Sequence, residues 1–176
     1  MRSLALASLL ALLVGQDHAA ADDASDIRAT VTGFYQAYES FRPPDGIPGD
    51  AVRKRFEPFI TPALDALLIA GTVADARYRQ VTNGMYPPLI EGDVFTPNFE
   101  GASSFDIGAC AQAGAAAHCA VAMTYNDARR PVTWTDTVSL ARTPAGWRVD
   151  DIAYGQGGGS LVHTLTDAIG QGNAIR

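Results

Sequence analysis

Asp136 is the residue of this sequence best placed for chemistry, because it interrupts an apolar strand face made by Val132, Trp134, Val138 and Leu140. A carboxylate there must be paired, protonated or open to a cavity, since an isolated buried charge is expensive. Its opposite number depends on the hairpin that follows. A bulge at Gly146 sets Tyr154 across from Asp136, with a hydroxyl able to hold it, whereas a plain four-residue turn leaves Asp136 diagonal to Asp151. The chemistry open to it is general acid or base work, or a polar hook for a ligand. The plainer reading is structural satisfaction by a tyrosine, an arginine or a backbone group.

Other polar residues offer less. Adjacent Asp150 and Asp151 point to opposite faces of a regular strand, so they share no proton unless a bulge turns both one way, and they read better as ties between the sheet and a loop or helix end. Asp93 follows Gly92 in a proline-rich stretch. It could close the mouth of a cavity and meet a substrate, or do ordinary turn chemistry by bonding nearby backbone N–H groups. Tyr35 and Tyr86 could supply phenol hydrogen bonds inside a cavity, although a tyrosine on an apolar helix face is usually core. His118 and His163 lack partners at zinc-like spacing, so no metal site is expected. No Gly-x-Ser-x-Gly elbow is present, and the glycine run Gly155 to Gly159 has no Lys-Ser or Lys-Thr after it to make a phosphate cradle. No cofactor is implied.

The elements that must position these residues come in a segregated order, helices first and strands last, which predicts an α+β domain. After Ser25, a candidate N-cap, Ile27, Val31, Phe34, Tyr35, Tyr38 and Phe41 recur on one face of a helix, and Pro43-Pro44 with Gly46 and Pro48-Gly49 stops it. Asp50 starts a short helix to Arg55 or Phe56. Thr61-Pro62 caps a longer one with Leu64, Leu67, Leu68, Val73, Tyr78 and Val81 on its buried face, which Gly71 could break in two. Asn83 to Gly101 reads as a long ordered loop over the surface. From Ser103 the period changes to two, giving four antiparallel strands in a meander that ends at Tyr154, with a change of parity at Asp150-Asp151 that calls for a bulge or for burial of both faces. Residues 160–176 make a last short helix or a loose tail.

The N-terminus speaks for compartment. Arg2, the 11-residue apolar run Leu4 to Val14 and the small residues Ala19-Ala20-Ala21 have the three parts of a signal peptide, and the run is too short to span a bilayer, which takes roughly 20 residues. Residues 1–21 are therefore expected to be removed near Ala21, releasing a periplasmic or secreted chain with no membrane anchor. The remainder, 22–176, is enough for one domain that buries roughly 70% of its unfolded surface. A formal charge of -6 with a single lysine, Lys54, argues against a nucleic-acid partner. Cys110 and Cys119 are the only cysteines, and in an exported protein an even number favours a disulfide across a hairpin whose tip runs from Ala111 to His118.

Helices before a four-stranded meander, the Phe34-Tyr35 pair, Pro87 to Thr96, Trp134-Thr135-Asp136-Thr137-Val138 and the closing strand Trp147 to Tyr154 together resemble the nuclear transport factor 2-like superfamily. More narrowly, the chain is similar to the bacterial exported domain of unknown function 3828, over roughly Asp26 to Tyr154. The resemblance implies a cone spanning 22–159, in which N-terminal helices pack on a curved four-stranded antiparallel sheet and leave an open cavity. Members of that superfamily serve many ends, so fold does not select a function. The expected function is a non-enzymatic binding module of the cell envelope, a monomer or homodimer, for a small or peptide-like ligand met by Tyr35, Asp93, Trp134, Asp136 and Tyr154. The rivals are an isomerase or dehydratase with Asp136 as base, and an immunity-type protein that binds an envelope protein partner.

Overall fold

The computed structural model describes residues 10–42 and 45–176. Residues 1–9 of the expected leader, and Pro43-Pro44, lie outside them. Helix α1 spans Leu10–Glu39. It does not start at Ser25 as the capping pattern suggested, because nothing in the alanine-rich stretch before Ser25 breaks a helix and alanine is its best former. The expected stripe of Ile27, Val31, Phe34, Tyr35 and Tyr38 is buried, and Phe41 packs against it just beyond the helix end.

Helix α2 covers Asp50–Phe56, and α3 covers Pro62–Val81. The Thr61 hydroxyl accepts the Leu64 N–H at 3.1 Å, and Pro62 takes the first turn, where its missing donor is no loss. Gly71 leaves α3 unbroken, and the buried face differs from the one expected. It is Leu64, Leu68, Gly71 and Ala74, while Val73 and Val81 are exposed. The reason is the last helix, α4 (Leu161–Ala174), which is no loose tail but presses Leu161, Leu165, Ala168 and Gly172 into the core. Small residues are required at that crossing. A Cβ on Gly172 would stand 2.7 Å from the Ala74 carbonyl oxygen, and one on Gly71 3.3 Å from Leu165 Cδ2 of α4. Ser160 caps α4 by accepting the His163 N–H.

Strands β1 (Ser104–Ala113), β2 (Ala116–Tyr125), β3 (Val132–Thr143) and β4 (Gly146–Ala153) form one antiparallel sheet in the order β1-β2-β3-β4. Cys110 stands opposite Cys119, and the two are joined by a disulfide with Cα atoms 4.1 Å apart. The alanine-rich segment beyond them continues the ladder, so the tip shrinks to the turn at Gly114-Ala115 instead of running from Ala111 to His118. Of the two turns weighed for the β3–β4 hairpin, the plain four-residue one is present. Thr143 pairs directly with Gly146, whose φ of 100° closes the turn without an extra residue, and the register shift falls at Asp150, where the change of parity marked it. Beyond the bulge Thr137 pairs with Ala153, and one further step brings Asp136 opposite Tyr154.

The long connection between α3 and β1 departs most from the surface loop expected. Its middle turns inward, burying Asp93, Val94, Phe95 and Thr96. The Phe95 ring stacks on Phe56 at 4.8 Å and meets Phe34, Tyr38 and Phe41 edge-on at 5.6 to 6.1 Å. Aromatic burial on that scale outweighs the polar character of the flanking residues.

Candidate functional site

Alternation along β3 turns Trp134, Asp136, Val138 and Leu140 to the face that α1 covers, and all four are buried. Asp136 has no exposed surface. One carboxylate oxygen accepts the Trp134 indole N–H at 3.0 Å, and the other accepts the Gly155 backbone N–H at 2.7 Å. Burial still pushes its carboxyl up from the ordinary 3.8, and these two bonds pull against that rise. Gly155 can approach because it has no side chain: a Cβ there would stand 2.4 Å from the Thr135 carbonyl oxygen.

Tyr154, opposite in the register, does not hold Asp136. Its hydroxyl donates to the Val94 carbonyl of the inward loop, because that loop fills the space over the end of β4. Asp93 is the second buried acid. It accepts the Tyr38 hydroxyl at 2.6 Å, the Phe95 N–H at 2.8 Å and the Thr96 hydroxyl at 2.9 Å. Desolvation pushes Asp93 up to about 6, against the pull of those three donors and the charge of Arg42. Arg42 lies over the Tyr38 ring at 5.6 Å. The turn chemistry read for Asp93 is what its bonds to Phe95 and Thr96 form, and the same side chain ties that turn to Tyr38 of α1.

Tyr35 is fully buried, stacked on Phe105 at 4.9 Å, and its hydroxyl has no hydrogen-bond partner among the described residues. Burial raises its phenol well above the usual range, and the charges of Asp136 and Asp93 and the neighbouring Tyr38 and Tyr154 add to the rise. The structure therefore gathers Tyr35, Asp93, Trp134, Asp136 and Tyr154 around one interior. Tyr86 belongs elsewhere, since it is 59% exposed. Sequence reasoning placed Tyr38 on the apolar face but missed its polar task. The signal available was a second tyrosine one turn beyond Tyr35 on the same stripe.

Asp150 and Asp151 act as the ties the sequence suggested. Asp150 accepts the Thr61 hydroxyl at 2.9 Å, holding the start of α3, and Asp151 accepts the Ile152 and Val162 N–H groups at 2.8 and 2.9 Å, the latter in the first turn of α4. His118 and His163 are exposed, the first beside Ser139 and the second beside Asp167. Among the described residues no group of three or more His, Cys, Asp or Glu side chains could hold a metal ion.

The interior the resemblance implied as an open cavity is occupied by Val94 and Phe95. Surface clefts lie elsewhere. One of about 320 Å³ is lined by Asp26, Thr30, Phe59, Trp147 and Arg148 among others, and a second of about 270 Å³ shares Ala145 and Arg148 with it. Neither touches the five gathered residues. No protein-family model matches this chain, and no curated protein matches it at a significant level.

Proposed function

We propose that this chain is an exported, non-enzymatic binding module of the cell envelope, built as a cone of the nuclear transport factor 2-like type, whose interior takes a small or peptide-like ligand at Tyr35, Asp93, Trp134, Asp136 and Tyr154. The Tyr35 hydroxyl carries the reading. A buried hydroxyl without a partner costs about 1–3 kcal/mol, which an occupant supplying the missing bond recovers. Asp136 favours binding over catalysis, because the Trp134 and Gly155 N–H groups that its two oxygens accept stabilise the charged carboxylate and so weaken it as a proton acceptor. The disulfide supports export, and no helix among the described residues is long and apolar enough to cross a membrane. A protein partner is the second reading, favoured by Met85, Tyr86 and Phe99, three exposed apolar side chains on one connection.

Native mass spectrometry of protein purified from the periplasm, beside its Tyr35→Phe variant, tests the proposal. Expected are a chain beginning at Asp22 with its disulfide formed, a small molecule on the wild type and less of it on the variant. A bare wild type, with Tyr35→Phe simply more stable by about 1 kcal/mol because an unpaired hydroxyl is gone, overturns ligand binding at this interior. A chain that keeps Met1 and two free thiols overturns export.

A further inference from the structure

The inward loop is a compact unit bounded by two glycines. Gly92 and Gly101 bound it with φ of 70° and 76°, in the left-handed region where glycine turns freely. Its ends lie side by side, a Cβ on Gly92 falling 2.5 Å from the Phe99 carbonyl oxygen. Between them the loop bonds to itself. The Asp93 N–H donates to Phe99 at 3.0 Å, the Gly101 N–H to Asn98 at 2.9 Å, and the Asn98 side-chain amide to Gly101 at 2.7 Å. The Asp93 carboxylate holds Phe95 and Thr96 of the same loop. This is the construction of an Ω-loop, compact by its own bonds.

Among the described residues its hydrogen bonds to the rest of the molecule are few. Tyr38 donates to Asp93 and accepts from Ala102 at 2.8 Å, Tyr154 donates to Val94, and the Gly46 N–H donates to Gly92 at 2.6 Å. Among the described residues the loop's ladder-type pairing is a single isolated bridge, Gly46 with Asp93. What the loop inserts is a single ring, Phe95, into a box whose walls all come from outside it: Phe34, Tyr38, Phe41 and Phe56.

We propose that the Gly92–Gly101 loop is a built-in plug, in which the Phe95 ring holds the place that an aromatic group of the ligand takes once the loop swings out about its two glycines. The idea rests on the binding reading and adds the class of ligand, one that carries an aromatic ring, and the segment it displaces. The Tyr38 hydroxyl is the latch, joining the first and last turns of the plug to α1.

Hydrogen exchange read by mass spectrometry on the mature, disulfide-bonded chain tests this. Amides of residues 93–102 are expected to exchange about a hundredfold faster than those of β2 and β3, through an opening that leaves the sheet intact. Tyr38→Phe speeds them about tenfold more while strand protection stays the same, and toluene-saturated buffer speeds them again in that variant, because the solvent ring competes with Phe95 for the box. Loop amides as protected as the strands in both proteins, or a loop that toluene leaves unchanged or slows, overturn the plug. The two readings separate cleanly. A loop that opens in protein purified without any small molecule counts against the ligand and for the plug, and a ligand-bearing protein with a strand-protected loop counts the other way.

Discussion

Asp93 is the side chain on which solution conditions should act most visibly. Its carboxyl is pushed up to about 6 by burial, from 3.8, so the unfolded chain releases that proton at lower pH than the folded one. The stabilisation is therefore complete below about pH 4 and is lost as pH rises through 6. Tyr38, Tyr35 and Arg42 face it from α1 and the segment after it, Tyr154 faces it from the end of β4, and the Gly46 backbone meets it from the third side. Asp23 and Asp50 work in the opposite sense. Arg142, and Arg53 with Lys54, hold their carboxyls down, so their contribution is present above 3.8 and lost in acid. Urea unfolding of wild type and Asp93→Asn at pH 4 and pH 7 isolates the one from the others: the variant should gain on the wild type between the two. An equal gap at both pH values would show that Asp93 carries no such linkage. The sequence revealed that Asp93 and Asp136 needed explaining, because an acid after Gly92 and an acid in an apolar strand are each local anomalies. Their distant donors were not legible, since Tyr38 lies 55 residues from Asp93 and Gly155 lies 19 from Asp136.

At the level of elements, local pattern was a good guide wherever one face met one core. The stripe of α1, the cap of α3, the alternation of the strands and the parity break at Asp150 all reappear in the structure. It failed where two elements set each other's needs. Val73 looked buried by spacing and is 64% exposed, because α4 approaches α3 over glycine and alanine, and closeness there matters more than apolar bulk. Phe95 sat among prolines and glycines that signal a surface loop, and only the aromatic box drawn from α1 and α2 brings it inside. The Cys110–Cys119 bridge joins neighbouring strands with a sequence separation of 9, so its removal should act mainly on the unfolded chain. Cys110→Ser with Cys119→Ser is expected to lose about 2.5 to 3 kcal/mol in denaturant unfolding with the sheet intact. Strand signals absent from the circular dichroism of the variant would mean instead that the ladder depends on the bond.

For the whole molecule, the question is where the folded body begins. Among the described side chains Asp23 grips the sheet near its start: its carboxylate pairs with Arg142 and accepts Gln112 Nε2 at 3.1 Å and Trp147 Nε1 at 3.3 Å, and Arg142 in turn lies over the Trp147 ring. Three strands are thus fastened to α1 just past the expected cleavage point. A chain starting at Asp22 should melt where the chain with residues 1–21 does, whereas one starting at Arg28, which lacks both Asp23 and buried Ile27, should melt several degrees lower. Equal melting of all three would place the beginning of the body further along α1.

The extra residue in β4 settles more than the register. With Asp150 inserted without a ladder partner, both neighbouring carboxylates stay off the covered face, and one reaches the head of the third helix while the other reaches the head of the fourth. The same offset carries Ile152 and Tyr154 back to the covered side. A single codon thereby decides both how two helices are moored and which side chains line the interior, so this is the place in the chain where a deletion, however short, would be felt at both ends of the molecule.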